Sequence, residues 1–85
     1  MIKAIVLTRH AIVKMEERKI RFAWVEDAIR NPLWTEPEPR DTTAERRFAR
    51  IGDHGGRMLR VVCVETDDTI RVITATFDRG ARNPK

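Results

Sequence analysis

The sequence predicts an α+β fold, two N-terminal helices packed on one face of a three- to four-stranded antiparallel sheet. Three observations carry that prediction. Residues 9–18 and 22–30 repeat apolar side chains at helical spacing. Residues 44–77 then read as β-rich runs parted by two short turns, the pattern of a meander. Among these runs Arg57 to Glu65 is apolar on both faces, with Leu59, Val61 and Cys63 against Val62 and Val64. Such a run belongs at the centre of a sheet.

Each element follows from its own residues. Ile2 to Leu7 is β-branched and apolar, a strand. Thr8 suits the N-cap of a helix over 9–18, and Arg18 and Lys19 suit the dipole at its C-terminal end. Phe22, Trp24, Val25, Ala28 and Ile29 form one face of a second helix, leaving Glu26, Asp27 and Arg30 outside. Asn31-Pro32 stops that helix, because proline disfavours helical geometry in the residue before it. Leu33-Trp34-Thr35 makes a short strand, and Glu36-Pro37-Glu38-Pro39 an extended, exposed connection. Strands over 44–51, 57–65 and 69–77 turn at Asp53-His54-Gly55-Gly56 and at Asp67-Asp68. With a two-residue turn at Asp67-Asp68, Val62 pairs with Ile73 and Arg60 lies opposite Ala75, which sets Arg60 and Arg71 on one face. A one-residue slip would invert every such assignment.

At 85 residues the chain makes a single domain over 1–77, with 78–85 a mobile basic tail carrying Arg79, Arg82 and Lys85. A domain of this size buries roughly 60–65% of its unfolded surface. Cys63 is the only cysteine, so there is no disulfide framework, and its apolar strand makes it a core thiol in a reducing compartment. That setting raises a thiol's pKa and argues against a nucleophile. Met1 to Leu7 is too short and too broken by Lys3 for a signal peptide, and no run approaches the ~20 apolar residues of a membrane span. The expectation is a cytoplasmic protein with no membrane contact.

His10, His54 and Cys63 lack zinc-like spacing, and there is no Walker or dinucleotide fingerprint, so neither a metal nor a cofactor is expected. Asp53-His54-Gly55-Gly56 precedes no helix and reads as a turn rather than a phosphate loop. The net charge of +4 is compatible with a polyanionic partner. Thirteen of the 17 basic residues are arginine, whose planar fork matches phosphate oxygens; a GC-rich genome would give the same bias.

The first helix holds a surplus of polar chemistry. At about 100° per residue, His10, Lys14 and Glu17 fall nearly on one line with Arg18 beside them. Ala11, Ile12 and Met15 supply the adjacent apolar rows. A helix that only packs a core needs the second group and not the first.

The run Thr8-x-His10-Ala11-x-x-Lys14-Met15-x-x-Arg18, followed by Ile20, resembles the opening signature of a bacterial group, domain-of-unknown-function family 4258. Arg57-Met58-Leu59-Arg60-Val61-Val62 and Arg71-Val72-Ile73-Thr74-Ala75 are similar to its closing strands. The resemblance covers about residues 5–77. Lys19 stands where that pattern has a helix-ending glycine, and Arg21 where it has a serine-like cap. The family is in turn distantly similar to small toxins of toxin–antitoxin pairs with a RelE-like ribonuclease fold. This resemblance implies a RelE-like sheet, a metal-independent endoribonuclease activity and a cognate antitoxin protein as partner.

Metal-free RNA cleavage needs a base for the 2′-hydroxyl proton, cations around the phosphorane and an acid for the leaving 5′-oxygen. His10 sits in the first helical turn, where the positive dipole end and Lys14 favour the neutral imidazole that acts as a base. Glu17, beyond it, can orient the ring or share its proton. The catalytic candidates are therefore His10, Lys14 and Glu17. Arg18, Arg46, Arg47, Arg50, Arg60 and Arg71 are the candidate RNA phosphate ligands.

Duller roles stand beside these. His10 can cap the helix or bond a neighbouring strand, Lys14 and Glu17 can form a solvated face, and the arginines of 46–50 can blunt a strand edge. Trp24 and Trp34 read as core rather than base-stacking platforms. The expected function is a toxin-like RNA-binding protein with endoribonuclease activity. The alternative is a non-catalytic protein- or nucleic-acid-binding module of the same fold. The sequence leaves the oligomeric state open.

Overall fold

Thr8 organises the N-terminal third of the chain. Its hydroxyl accepts from Ala11 N–H at 3.1 Å, capping the first helix, and donates to Ile73 O at 3.2 Å across 65 residues. Its backbone N–H donates to Val72 O at 3.1 Å, so the cap is fastened to the last strand. The computed structural model describes residues 2–82. Its elements are β1 (Ala4–Leu7), α1 (Arg9–Arg18), α2 (Phe22–Arg30), β2 (Trp34–Pro37), β3 (Glu45–Ile51), β4 (Arg57–Glu65) and β5 (Thr69–Phe77), with a 3₁₀ turn over Gly52–His54.

The sheet corrects the sequence expectation. It is five-stranded and mixed, in the order β1-β5-β4-β3-β2, rather than three- to four-stranded and antiparallel. β1 runs parallel to β5, with Ala4 beside Thr69 and Leu7 beside Val72. The pairing joins the two ends of the domain through a crossover that contains both helices, so no local pattern announces it. Glu36 and Pro37, expected in a connection, extend β2, where an edge position tolerates the proline.

The β4–β5 hairpin keeps the two-residue turn from Glu65–Ile70 to Cys63–Val72, then slips. Ile73 is bulged out, so Val62 meets Thr74 and Arg60 meets Thr76, not Ile73 and Ala75 as expected. The apolar pattern explains the slip. Ile70 and Val72 alternate in one phase, Ala75 and Phe77 in the other, and one extra residue keeps all four on the same face.

That face carries the core. Ala11 and Met15 of α1, Val25, Ala28 and Ile29 of α2, and Leu59, Val61 and Cys63 of β4 bury one another. α1 packs on β5, and α2 on β3 and β4. Burial pushes the Cys63 thiol up to about 11, an inert core group. The opposite face carries no helix. Trp34 stacks on Phe48 there at 4.3 Å, and the loop after β2 borders it, with Glu38, Asp41 and Ala44 lining a cavity beside Arg46, Arg60 and Val62.

Lys19 ends α1 in the left-handed region at φ 56°, its N–H donating to Glu16 O while Ile20 N–H donates to Met15 O. It holds a conformation that glycine adopts without a Cβ clash. Of the expected tail, Asp78 N–H donates to Met58 O at 2.9 Å and Gly80 N–H to Asp78 Oδ1 at 3.0 Å. Residues 83–85, with Lys85, lie outside the described residues. No helix among the described residues is long and apolar enough to cross a membrane.

Candidate functional site

The polar row of α1 borders the part of β5 that β1 leaves uncovered. β1 stops at Leu7 beside Val72, and the strand beyond is met by side chains instead. Arg18 Nη1 donates to Ala75 O at 2.9 Å. Lys14 Nζ sits 3.1 Å from Glu17 Oε1. His10 is exposed and makes no side-chain hydrogen bond among the described residues, and Thr8 holds the cap that His10 was a candidate for. The four residues share one region, with Arg18 the best fixed.

The remaining predicted arginines divide between the two sheet faces. Arg46, Arg50, Arg60 and Arg71 lie on the open face, by the pairings Arg46–Val62, Arg50–Met58, Arg60–Thr76 and Val64–Arg71. Two of them are matched by carboxylates: Arg46 Nε lies 2.8 Å from Glu38, and Arg60 Nη1 2.9 Å from Asp78. The Arg46 guanidinium holds the Glu38 carboxyl below its usual range. Arg60 Nε is buried with no acceptor. Arg50 donates to Gly56 O at 3.2 Å, and Arg71 is exposed.

Arg47 stands apart from that set. It is buried on the helix face, where Nε meets Glu45 at 2.7 Å, Nη1 donates to Ile29 O at 3.0 Å and Nη2 meets Glu65. Ile29 lies near the C-terminal end of α2, so one side chain ties that helix to β3 and β4. Glu65 also takes Lys3 Nζ at 2.7 Å. Arg47, then Lys3, hold the Glu65 carboxyl down at about 2. Every partner of Arg47 is internal, and its placement is that of a structural tie.

A cluster that no sequence motif marks lies at the far end of β5, built on His54 of the β3–β4 turn, Trp24 of α2 and Phe77. His54 stacks on Phe77, ring centroids 4.6 Å apart and planes 18° from parallel. Trp24 approaches His54 at 5.7 Å and Phe77 at 6.3 Å. Arg57 lies over the Phe77 ring at 5.6 Å and Arg21 over Trp24 at 5.7 Å. Arg57 Nη1 is 3.2 Å from His54 Nε2; a guanidinium only donates, so Nε2 accepts and the ring proton sits on Nδ1. The cluster depends on the bulge, because without it Phe77 would face the other side of the sheet. The phase change from Val72 to Ala75 was the signal in the sequence that could have revealed it. Arg18, on Ala75 two residues before Phe77, joins the cluster to the α1 row.

Among the described residues no group of three or more His, Cys, Asp or Glu is arranged to hold a metal ion. Residues 7–77 match the family described as "Domain of unknown function (DUF4258)". The chain belongs to that family. The match spans the elements from the end of β1 to the end of β5, so the α1 row and the aromatic–arginine cluster both fall within the DUF4258 domain. No curated protein and no solved structure matches the chain.

Proposed function

We propose that this DUF4258 protein is a toxin-like RNA-binding protein that cleaves RNA without a metal and is silenced by a cognate antitoxin. The observation that carries the reading is the row of exposed His10, half-buried Lys14 and exposed Arg18 beside the uncovered part of β5, with Arg18 anchored on Ala75 O. In this scheme His10 takes the 2′-hydroxyl proton and the 2′-oxygen attacks the adjacent phosphorus. Arg18 balances the charge on the phosphorane, and the P–O5′ bond breaks as Lys14, one turn along, supplies a proton to the 5′-oxygen. Glu17 holds the Lys14 ammonium in place. A cytoplasmic setting and the distant RelE-like similarity belong to the same reading.

A second reading is a non-catalytic docking module. The ion pairs Arg46–Glu38 and Arg60–Asp78 favour it, because a face of alternating charge suits a protein partner better than a polyanion. Controlled expression of wild type and His10→Ala, followed by growth and total RNA, separates the two. Growth arrest with RNA fragmentation that His10→Ala abolishes is the expected result. Normal growth with intact RNA at equal soluble expression removes the ribonuclease and leaves the docking module.

A further inference from the structure

The turn between β3 and β4 doubles back tightly. Gly55 and Gly56 hold φ at 66° and 72°, and Gly56 N–H donates to Ile51 O at 2.9 Å. Arg50 and Arg57 are thereby brought against the residues that follow β5. Between them lies a cavity of about 320 Å³, its wall including Arg50, Arg57, Arg79, Met58 and Phe77.

Among the described residues, the arginines of this wall lie against no carboxylate. Arg30, Arg46, Arg47 and Arg60 each lie against a carboxylate, whereas Arg50, Arg57 and Arg79 form no ion pair among the described residues. The one carboxylate in the wall, Asp78, is already taken by Arg60 at 2.9 Å. Three unpaired guanidinium groups around one hollow repel each other and attract an anion, and their forks fit phosphate oxygens. The rest of the wall is apolar and aromatic: Met58, and Phe77 backed by His54 and Trp24. The volume lies at the lower end of the ~300–1,000 Å³ range of small-ligand sites, room for one nucleotide and not an oligomer.

We propose that this cavity is a nucleotide subsite, with the arginines holding the phosphate of a ribonucleotide unit and Phe77 and Met58 bordering its base. The proposal rests on the RNA-binding reading and extends it to a place away from the His10 row. Free nucleoside monophosphate offers the same chemistry and serves as the probe.

The isotope-labelled chain is titrated separately with adenosine 5′-monophosphate, inorganic phosphate and adenosine, and amide shifts are followed. Binding of a labelled oligouridylate is measured in parallel. Adenosine 5′-monophosphate is expected to give saturable shifts at 50, 55–58 and 77–79, with phosphate weaker and adenosine silent. Arg57→Gln, its spectrum otherwise native, should weaken binding about tenfold, the worth of one charge-assisted phosphate contact. Arg30→Gln, on α2 away from the cavity, should bind as wild type does. Absence of saturable shifts at the cavity, phosphate binding as tightly as the nucleotide, or an unaffected Arg57→Gln each overturns the subsite. Oligouridylate binding without nucleotide binding would sink the subsite and leave the RNA reading standing; nucleotide binding without oligouridylate binding would do the reverse.

Discussion

Replacing Arg47 by methionine tests whether this arginine holds the fold together or faces a ligand. Methionine keeps much of the apolar stem and removes all five donors. Ile29 O then loses its 3.0 Å partner, at about 1–3 kcal/mol for a carbonyl left buried and unsatisfied. Glu45 and Glu65 are each around two-fifths exposed, 41% and 38%, and rehydrate. Their two ion pairs therefore add only about 0–1 kcal/mol each, and relief of guanidinium desolvation offsets part of that. The net loss is about 2–3 kcal/mol, or roughly 10–20 °C in Tm for a domain this small.

The acid limb supplies an independent readout. The Glu65 carboxyl is held at about 2 in the folded chain against an ordinary value of 4.5. A depressed carboxylate contributes stability that is complete above the unfolded value and is lost as pH falls through the folded one. Wild type should therefore lose stability between about pH 4.5 and 2. The partial exposure of Glu65 keeps that contribution on the order of 1 kcal/mol. In Arg47→Met only Lys3 remains beside Glu65, so the loss across this window should shrink. Urea melts followed by circular dichroism at pH 7, 4 and 2.5 measure both effects. A change below about 0.5 kcal/mol at pH 7, the scale of a neutral surface substitution, would refute the structural assignment, as would an undiminished acid limb. Lost RNA binding in a fully stable variant would return Arg47 to the phosphate ligands.

One further substitution and one reactivity test local geometry. Lys19→Gly should raise stability by about 0.5–1 kcal/mol, since a Cβ at φ 56° is strained and glycine's extra unfolded freedom cancels only part of the gain; a lower Tm would place the helix end elsewhere. Cys63, buried and raised to about 11, should resist a thiol reagent at pH 8 in the native chain and react at once in urea. Fast native labelling would mean that β4 is not central.

Both helices and the three long strands were legible because their signals are local. Thr8 caps, Asn31-Pro32 stops, and the turns at Gly55-Gly56 and Asp67-Asp68 sit between alternating runs. The β1–β5 pairing was not, since Ala4 and Thr69 are brought together by packing across the whole domain. Of the candidate residues, the α1 row was legible from helical geometry alone. The division of Arg46, Arg47 and Arg50 was not. Alternation puts Arg47 opposite its neighbours, but which face meets the helices depends on where Ile29 and Glu65 lie.

Composition treats the thirteen arginines as one population, and the fold sets those held by carboxylates apart from those that are not. Arg47 faces the helices, where Glu45, Glu65 and Ile29 O occupy it fully. Arg46 and Arg60 are held flat on the open face by Glu38 and Asp78. Among the described residues Arg50, Arg57 and Arg79 have no carboxylate and line one cavity at the end of β5, while Arg18 on Ala75 O, and Arg9, Arg21, Arg40 and Arg71 elsewhere, have none either. A guanidinium paired with a carboxylate must give up that partner before it can bind phosphate, a cost of the same order as the contact it would gain, whereas Arg50 and Arg57 give up only a neutral one, Gly56 O and His54 Nε2. Three guanidinium groups free of carboxylates are therefore available at the end of β5, and the Ile73 bulge, by turning Phe77 toward Trp24 and His54, places an aromatic wall there as well. One inserted residue in one strand thus puts charge and stacking surface in the same place.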